Sequence, residues 1–245
     1  MKSFGITDKG KVRKENQDSY IIENCDRRSS VVIAICDGMG GAKAGDLASQ
    51  LACKAFISGV YEALISPKFY TENIEKTLKS SCADANGVVY EYSGFDPNYN
   101  GMGTTLVGGV ISKRKAHLVN VGDSRAYLIS DSGIKQITRD HSYVNELIAM
   151  GAITPEEAST HPNKNVITRA LGVDRKVEAD YFSTDLRRGD CILLCSDGLS
   201  NMVSDEEIFA VFKANHKPEH VCRTLLGMTL DRGAKDNVSV VAVLI

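Results

Sequence analysis

Two aspartates stand at the edge of a predicted β-hairpin, where their carboxylates are suited to hold a metal ion. Asp18 immediately precedes a β-branched run at 19–24, and Asp37 immediately follows a second, more apolar run at 30–36. In an antiparallel hairpin the start of one strand lies beside the end of the other. Both carboxylates are therefore expected to meet at the open end of the hairpin.

Three further aspartates flank later strand-like runs. Asp123 lies in a turn between two runs, Asp197 follows the buried run at 192–195, and Asp236 precedes the last run at 238–245. The order of these runs does not by itself establish that the three places meet in the fold. Taken alone, Asp236 followed by asparagine is equally typical of a turn that leaves a helix.

Clustered carboxylates repel one another and raise each other's pKa unless a cation neutralises them. Oxygen ligands suit Mg²⁺ and Mn²⁺ better than zinc, which prefers histidine and cysteine. Glycine follows both Asp37 and Asp197 and allows a sharp turn that brings a carbonyl close to a ligand. One Asp-Gly pair is typical of a plain turn. Two of them with hairpin partners favour a metal site.

A basic residue precedes this acidic edge. Arg13, Asn16 and Asp18 form the pattern R-x-x-N-x-D, and an arginine fork can bind a phosphate with two parallel hydrogen bonds. Arg13 is thus a candidate phosphate ligand. The alternative is a solvated basic loop, because three lysines share the same segment.

Composition excludes several classes of protein. The 245 residues include 43% hydrophobic and 24% charged residues, and the net charge of −2 argues against a nucleic-acid partner. No apolar run reaches the roughly 18 residues that span a bilayer, and the first residues contain no apolar signal core. We expect a cytoplasmic protein without a membrane partner. The seven cysteines form no C-x-x-C pair, which predicts reduced structural thiols.

Several catalytic motifs are missing. No cysteine is followed six positions later by arginine, as a cysteine-phosphate loop requires, and no D-x-D or G-x-x-x-x-G-K-[ST] motif is present. Covalent catalysis therefore has no candidate nucleophile. Water activated by metal ions is the remaining chemistry.

The elements that must position these residues alternate between strands and helix pairs. Their connections are too short for parallel crossovers, which predicts an α+β fold with a mostly antiparallel sheet and segregated helices in one domain, 1–245. A polar, irregular segment at 140–175 contains two short helices, the second with a capping box at Thr154. The predicted strands are 19–24, 30–36, 104–111, 116–121, 125–130, 177–183, 190–195 and 238–245. The predicted long helices are 44–64, 71–92, one capped by Ser204, and 218–230.

These motifs, in this order, resemble the metal-dependent Ser/Thr protein phosphatases of type 2C, particularly their compact bacterial members. The resemblance covers essentially the whole chain and implies a central antiparallel β-sandwich flanked by helix pairs (four layers, α-β-β-α), with the metal centre at one end. The matching stretches are 13–18, 37–41 (DGMGG), 103–105 (GTT), 121–127 (VGDSRAY), 196–199 (SDGL) and 233–237 (GAKDN).

The resemblance also implies a set of metal ligands. Asp37 is similar to the carboxylate that bridges two metal ions, and the Gly38 carbonyl to a ligand of the first ion. Asp197 and Asp236 are similar to ligands of the second ion. Asp123 resembles a ligand, shared with Asp197, of a third and weaker ion found in bacterial members.

Two other residues and one segment have counterparts in the family. Asp18 resembles the residue that holds a metal-bound water, and Arg13 resembles the arginine that binds the phosphate. The segment 140–175 resembles a mobile flap beside the site, which in this family influences the choice of substrate.

One position departs from the family pattern and leaves the general acid open. Many eukaryotic members have histidine where this chain has Met39, and some bacterial members have one a few residues later, where this chain has Ala42 and Lys43. Metal-bound water is the first candidate for the acid. His141 is the second, although an isolated histidine of this kind is more typical of a loop or cap.

The resulting hypothesis is hydrolysis of phosphoserine and phosphothreonine in proteins by a monomer, without a phosphoenzyme. Two Mg²⁺ or Mn²⁺ ions about 3.5–4 Å apart would lower the pKa of a bridging water. The family further implies a cognate Ser/Thr protein kinase. The alternatives are a non-catalytic phosphoprotein-binding module of the same fold, a hydrolase of small phosphate esters, and an α+β domain with unrelated turn aspartates.

Overall fold

Two antiparallel sheets stacked face to face form the centre of the computed structural model, which describes residues 1–41, 44–67 and 73–245. The strands are β1 (Lys2–Asp8), β2 (Asp18–Cys25), β3 (Ser30–Met39), β4 (Gly103–Thr104), β5 (Leu106–Ser112), β6 (Lys115–Val121), β7 (Arg125–Ser130), β8 (Gly133–Gln136), β9 (Asp180–Asp185), β10 (Cys191–Cys195) and β11 (Val238–Leu244). One sheet has the order β2-β3-β5-β6-β9, with β4 paired to the end of β3. The other has the order β1-β11-β10-β7-β8.

Helix pairs cover the outer faces of both sheets. The first pair, α1 (Ala44–Ile65) and α2 (Ile74–Ser93), packs on the sheet that contains β3, and the pair α6 (Asp205–Ala214) and α7 (Pro218–Asp231) packs on the sheet that contains β11. Three shorter helices are α3 (Tyr143–Ala149), α4 (Pro155–Thr160) and α5 (Asp197–Ser200).

The apolar residues of the central strands alternate between two layers. Along β3, Val32, Ala34 and Cys36 face the α1–α2 pair, whereas the intervening residues face the other sheet. This period of two is what a strand buried on both faces requires. The predicted α+β fold and its four-layer β-sandwich are confirmed.

Apolar residues spaced four apart form the face of α1 that packs on its sheet. Ala48, Ala52, Phe56 and Val60 form one fully buried stripe on this helix. The capping boxes are also as predicted: Ser204 caps α6 and Thr154 caps α4, each with a glutamate three residues later. All seven cysteines are free and buried.

Several elements differ from the sequence predictions. Strands β1 and β8 and helix α5 were not predicted. The strand predicted at 177–183 is β9, which begins and ends later in the chain, at Asp180 and Asp185. It pairs with β6, from Asn120 opposite Asp180 to Lys115 opposite Asp185. Residues 71 and 72 of the second predicted helix lie outside the described residues. No helix in the described ranges is long and apolar enough to cross a membrane.

Candidate metal and phosphate site

Asp18 and Asp37 are direct partners across the β2–β3 ladder. The hairpin geometry therefore brings the two carboxylates together as predicted, although β3 continues through Asp37 to Met39 instead of ending before it. Like charges placed directly opposite on a sheet destabilise it. Burial and the neighbouring carboxylates, that of Asp18 first, hold the pKa of Asp37 well above its usual range.

One oxygen of Asp18 is held from behind by two buried serines. Ser196 and Ser239 each donate a hydrogen bond of 2.7 Å to Asp18 Oδ2. Asp18 Oδ1 is buried and has no hydrogen-bond partner within the described part of the chain. Burial raises the pKa of Asp18 to about 7, and the two serine hydroxyls oppose the rise.

The backbone around Asp37 is fixed by the strand that follows the helix pair. Thr105 donates its N–H to the Asp37 carbonyl at 2.9 Å, and the Asp37 N–H donates to Thr105 Oγ1 at 3.0 Å. At the next position a Cβ would clash with the Gly45 carbonyl, so only glycine allows α1 to approach Gly38 this closely. The end of β3 is therefore held by hydrogen bonds on one side and by the close approach of α1 on the other.

The later aspartates reach the same place from the other sheet. Asp197 is the first residue of α5 and lies two residues after the end of β10, and Asp236 lies two residues before β11. These two strands are neighbours, so both carboxylates emerge at one edge of that sheet. Asn201 donates to Asp197 Oδ2 at 3.0 Å, whereas Asp197 Oδ1 is buried without a hydrogen-bond partner among the described residues.

A single cavity joins the two edges. Asp37, Asp123, Asp197 and Asp236 line it together with Arg13 and the Gly38 backbone. The structure thus brings together every predicted metal ligand, with Asp18 buried behind them. Arg13 is the one cation among the lining residues that the structure describes, and it donates to Asp236 Oδ2 at 2.7 Å.

Asp123 connects this cavity to a neighbouring one. It lies in the turn between β6 and β7, and together with Asp197 and Asn165 it lines both cavities. Burial and the Asp197 charge raise the pKa of Asp123 to about 7. A carboxylate that is this costly to ionise in the protein alone is one that a cation would stabilise.

The carboxylate oxygens of this cavity are of the type that binds hard divalent ions, although they do not yet form a complete coordination site. Asp18 Oδ1 and Asp197 Oδ1 are buried oxygens without hydrogen bonds, and oxygen is the ligand type that Mg²⁺ and Mn²⁺ prefer. Within the described ranges, no three acidic, histidine or cysteine side chains already surround a common point tightly enough to hold an ion. One oxygen of the Asp236 carboxylate, Oδ2, accepts the hydrogen bond from Arg13.

His141 does not reach the cavity. Its Nδ1 accepts the Gly122 N–H at 3.2 Å, its Nε2 lies 3.2 Å from Asp180 Oδ2, and only 6% of the side chain is exposed. Burial lowers the pKa of His141. This geometry fits a residue that joins the segment 140–175 to the β6–β7 turn, and it gives no access to a leaving group.

The comparison with known proteins decides the family. The sequence profile of protein phosphatase 2C matches residues 10–226. A serine/threonine phosphatase, Stp of Listeria welshimeri, is 38% identical over 240 residues, which cover 97% of this chain and 93% of the relative.

The chain belongs to the protein phosphatase 2C family.

Solved structures of family members have the same fold. The phosphatase Stp1 of Staphylococcus aureus superposes with a TM-score of 0.91 at 36% identity and covers 99% of this chain and 94% of its own. The catalytic domain of the phosphatase PstP, in complex with two manganese ions, gives 0.83 at 34% identity, covering 98% and 96%. The expectation of a phosphatase enzyme is confirmed.

Three polar residues of this protein phosphatase 2C member carry structural roles that the sequence analysis missed. Ser196 and Ser239 hold Asp18, and Asn237 bonds the loop that carries Arg13. Ser196 and Asn237 each adjoin a candidate metal ligand in sequence, which is the signal that was available for them. Ser239 lies inside a strand and offers no such signal.

Proposed function

We propose that this protein hydrolyses phosphoserine and phosphothreonine in proteins with water as the nucleophile and without a phosphoenzyme. One observation supports the proposal above all: Asp37, Asp197 and Asp236, which are far apart in the chain, line one cavity with Arg13. The only hydroxyl side chain among the described lining residues is that of Thr105, which is bonded to the Asp37 N–H and to Ser124. No free hydroxyl or thiol competes with water among these lining residues, and the aspartates are the groups that we assign to metal.

We assign the metal ligands to Asp37, the Gly38 carbonyl, Asp197 and Asp236, with Asp123 as a ligand of a third and weaker ion. Mn²⁺ is supported by the PstP structure with two manganese ions, and the same oxygen donors suit Mg²⁺. A pair of such ions supplies an activated water and positive charge for the phosphoryl oxygens. The chain's part is to hold four carboxylates together at a distance where they would otherwise repel.

Asp18 orients the attacking water in this proposal. The two serine hydroxyls fix Oδ2, so Oδ1 is the atom left to accept a hydrogen bond from water. Burial raises the pKa of Asp18 in the protein alone, and cations bound beside it would lower that pKa and favour the carboxylate that accepts this bond.

Arg13 binds the phosphate of the substrate. Its side chain is about half exposed at the cavity, and its Nη2 lies 2.7 Å from Oδ2 of Asp236. The planar fork can donate two hydrogen bonds to a phosphoryl group and offset the negative charge of the carboxylates.

A water molecule, and not a side chain, protonates the leaving alkoxide. The one histidine that the sequence offered for this step is His141, whose two ring nitrogens face Gly122 and Asp180. Met39 occupies the family's other histidine position and also lines the cavity.

We further propose that 1–245 acts as one catalytic domain, with 140–175 as a flap that influences substrate choice. A continuous apolar layer between the sheets supports one folding unit. The flap helices α3 and α4 line the cavity that adjoins the metal and phosphate site. Phosphoproteins are the substrates, and a Ser/Thr protein kinase would supply them.

The deciding experiment measures phosphate release from a phosphothreonine peptide with Mn²⁺, without it, and in chelator. We expect turnover only with the metal. A substrate panel that compares phosphopeptides with free phosphomonoesters separates a protein phosphatase from a small-ester hydrolase. Preference for the free esters, or full turnover in chelator, would contradict the proposal.

A further inference from the structure

The segment between β1 and β2 carries Arg13 but contains no helix or strand. Its backbone N–H and C=O groups therefore need partners elsewhere in the protein if the segment is to keep one conformation. An arginine on an unanchored loop would lose entropy each time it bound a phosphate. The residues that anchor this segment thus affect how well Arg13 can work.

The Asn237 side chain bonds the β1–β2 segment on both sides of Arg13. Its Nδ2 donates to the carbonyls of Lys9 and Glu15, each at 2.9 Å, and its Oδ1 accepts the Gln17 N–H at 2.8 Å. One amide group thus bonds the segment before and after Arg13. Asn237 is only 5% exposed, so water does not readily replace these bonds.

Only an amide of this size can make all three bonds. Both N–H donors of Asn237 and an acceptor oxygen are in use. Aspartate has the same shape but no donor, and it would place a negative charge against two carbonyl oxygens. Alanine would leave all three backbone groups without this partner.

The residues around Asn237 continue the same contact. The Lys11 N–H donates to the Ala234 carbonyl at 2.9 Å, and a Cβ at Gly10, where φ is +74°, would clash with the Asp236 carbonyl. The Asn237 N–H itself donates to Asp236 Oδ1 at 2.8 Å. Residues 234–237, which include the candidate metal ligand Asp236, therefore also hold the β1–β2 segment that carries Arg13.

We propose that Asn237 is a positioning residue for phosphate binding: it sets where the β1–β2 segment presents Arg13 to the substrate. This inference rests on the phosphate-binding role proposed for Arg13. Asn237 acts through the loop, because its amide is committed to backbone groups and has no donor left for a substrate.

A double-mutant cycle tests the proposal with Asn237→Ala, Arg13→Ala and the double variant, assayed on a phosphothreonine peptide at saturating Mn²⁺. Asn237→Ala should raise KM by about tenfold, as expected for weakened hydrogen bonds to a charged group, with a smaller change in kcat. In the Arg13→Ala background the same substitution should change KM by less than about twofold. The effects of substituting two residues that act through one another are not additive.

Amide hydrogen exchange gives a readout that does not depend on catalysis. In Asn237→Ala the Gln17 and Lys11 amides should exchange faster than in the wild type, while amides at the centre of β10 remain protected. Mn²⁺ binding, measured by calorimetry, shows whether the adjacent Asp236 is still able to bind metal. Unchanged exchange at both loop amides overturns the inference.

The kinetic outcomes separate this inference from the proposed function. Additive effects, with KM rising equally in both backgrounds, would overturn the positioning role and leave the role of Arg13 intact. An unchanged KM in Arg13→Ala alone would overturn both. If Asn237→Ala does not fold, Gly10→Ala displaces the same segment from the Asp236 side, and its effect on KM should likewise disappear in the Arg13→Ala background.

Discussion

Asp18 and Asp37 face each other as a cross-strand pair at the end of the β2–β3 hairpin. Two carboxylates in this arrangement cost stability. The protein offsets part of that cost with the Ser196 and Ser239 hydroxyls, which bond only one oxygen of Asp18. Such a pair is expected where function, and not folding, requires the charge.

Replacement of Asp37 tests the centre of the proposed site. Asp37→Asn keeps the shape of the side chain and removes the charge, so we expect phosphopeptide turnover to fall by about a thousandfold or more, the upper range for loss of one electrostatic group. The fold should persist because the substitution also relieves repulsion from Asp18. Turnover and thermal unfolding in chelator measure the two effects.

The matched control is Asp185→Asn, an exposed aspartate at the end of β9 whose side chain is 92% accessible. This variant should retain wild-type turnover. Equal activity of Asp37→Asn and the wild type would remove Asp37 from the metal site.

Replacement of Arg13 should act mainly on substrate binding. Arg13→Ala removes the one positive side chain among the described lining residues, and we expect KM for the phosphopeptide to rise about tenfold with a smaller fall in kcat. Arg13→Lys should recover only part of the loss, because an ammonium lacks the planar fork. Lys14→Ala, an exposed residue of the same segment, is the control and should leave KM unchanged.

The hairpin part of the site could be predicted from the sequence because it depends on local geometry. Asp18 and Asp37 meet as soon as two adjacent runs pair in antiparallel fashion. Asp197 and Asp236 approach this hairpin only because one sheet packs on the other. Local spacing in the sequence contains no information about that packing. The resemblance to a known family supplied that step.

The missed strand β1 shows why other elements were harder to predict. It contains Gly5, a weak strand former, because the ring of Tyr20 packs where a Cβ would be and its hydroxyl donates to the Gly5 carbonyl at 2.9 Å. Tertiary contact between the two sheets thus outweighs local propensity. Helix α5 is only four residues long, which is too short for a periodic pattern to indicate it.

His141→Ala should separate structure from catalysis. The substitution removes the acceptor for the buried Gly122 N–H, so we expect the free energy of unfolding to fall by about 1–3 kcal/mol. At saturating substrate kcat should stay within about threefold of the wild type, far from the 10²–10⁴ that a general acid supplies. Urea denaturation measures the free energy of unfolding, and steady-state kinetics measure kcat. The control is His117→Ala on β6, which should leave kcat unchanged. A loss of kcat above about a hundredfold would restore His141 as the acid.

The last prediction concerns pH and metal removal. The pKa of Asp123 in the folded protein is about 7, above the 3.8 of a free aspartate, so the folded state binds this proton more tightly. In chelator, the contribution of Asp123 to stability is therefore fully present below about pH 4 and is lost as pH rises towards 7. Asp123→Asn should be increasingly more stable than the wild type across that window.

Asp123→Asn removes the Asp123 proton together with its repulsion of Asp37 and Asp197. His141, whose lowered pKa changes stability with pH in the opposite direction, is common to both proteins. Thermal unfolding of both proteins in chelator, at several pH values between about 4 and 8, gives the difference in Tm, which should grow with pH. Saturating Mn²⁺ should reverse the order at the highest pH, since binding to the folded state stabilises the protein that has the extra carboxylate. A Tm difference that stays constant with pH would show that Asp123 is ionised in the folded protein as readily as in water, and a cation would then gain nothing from its burial.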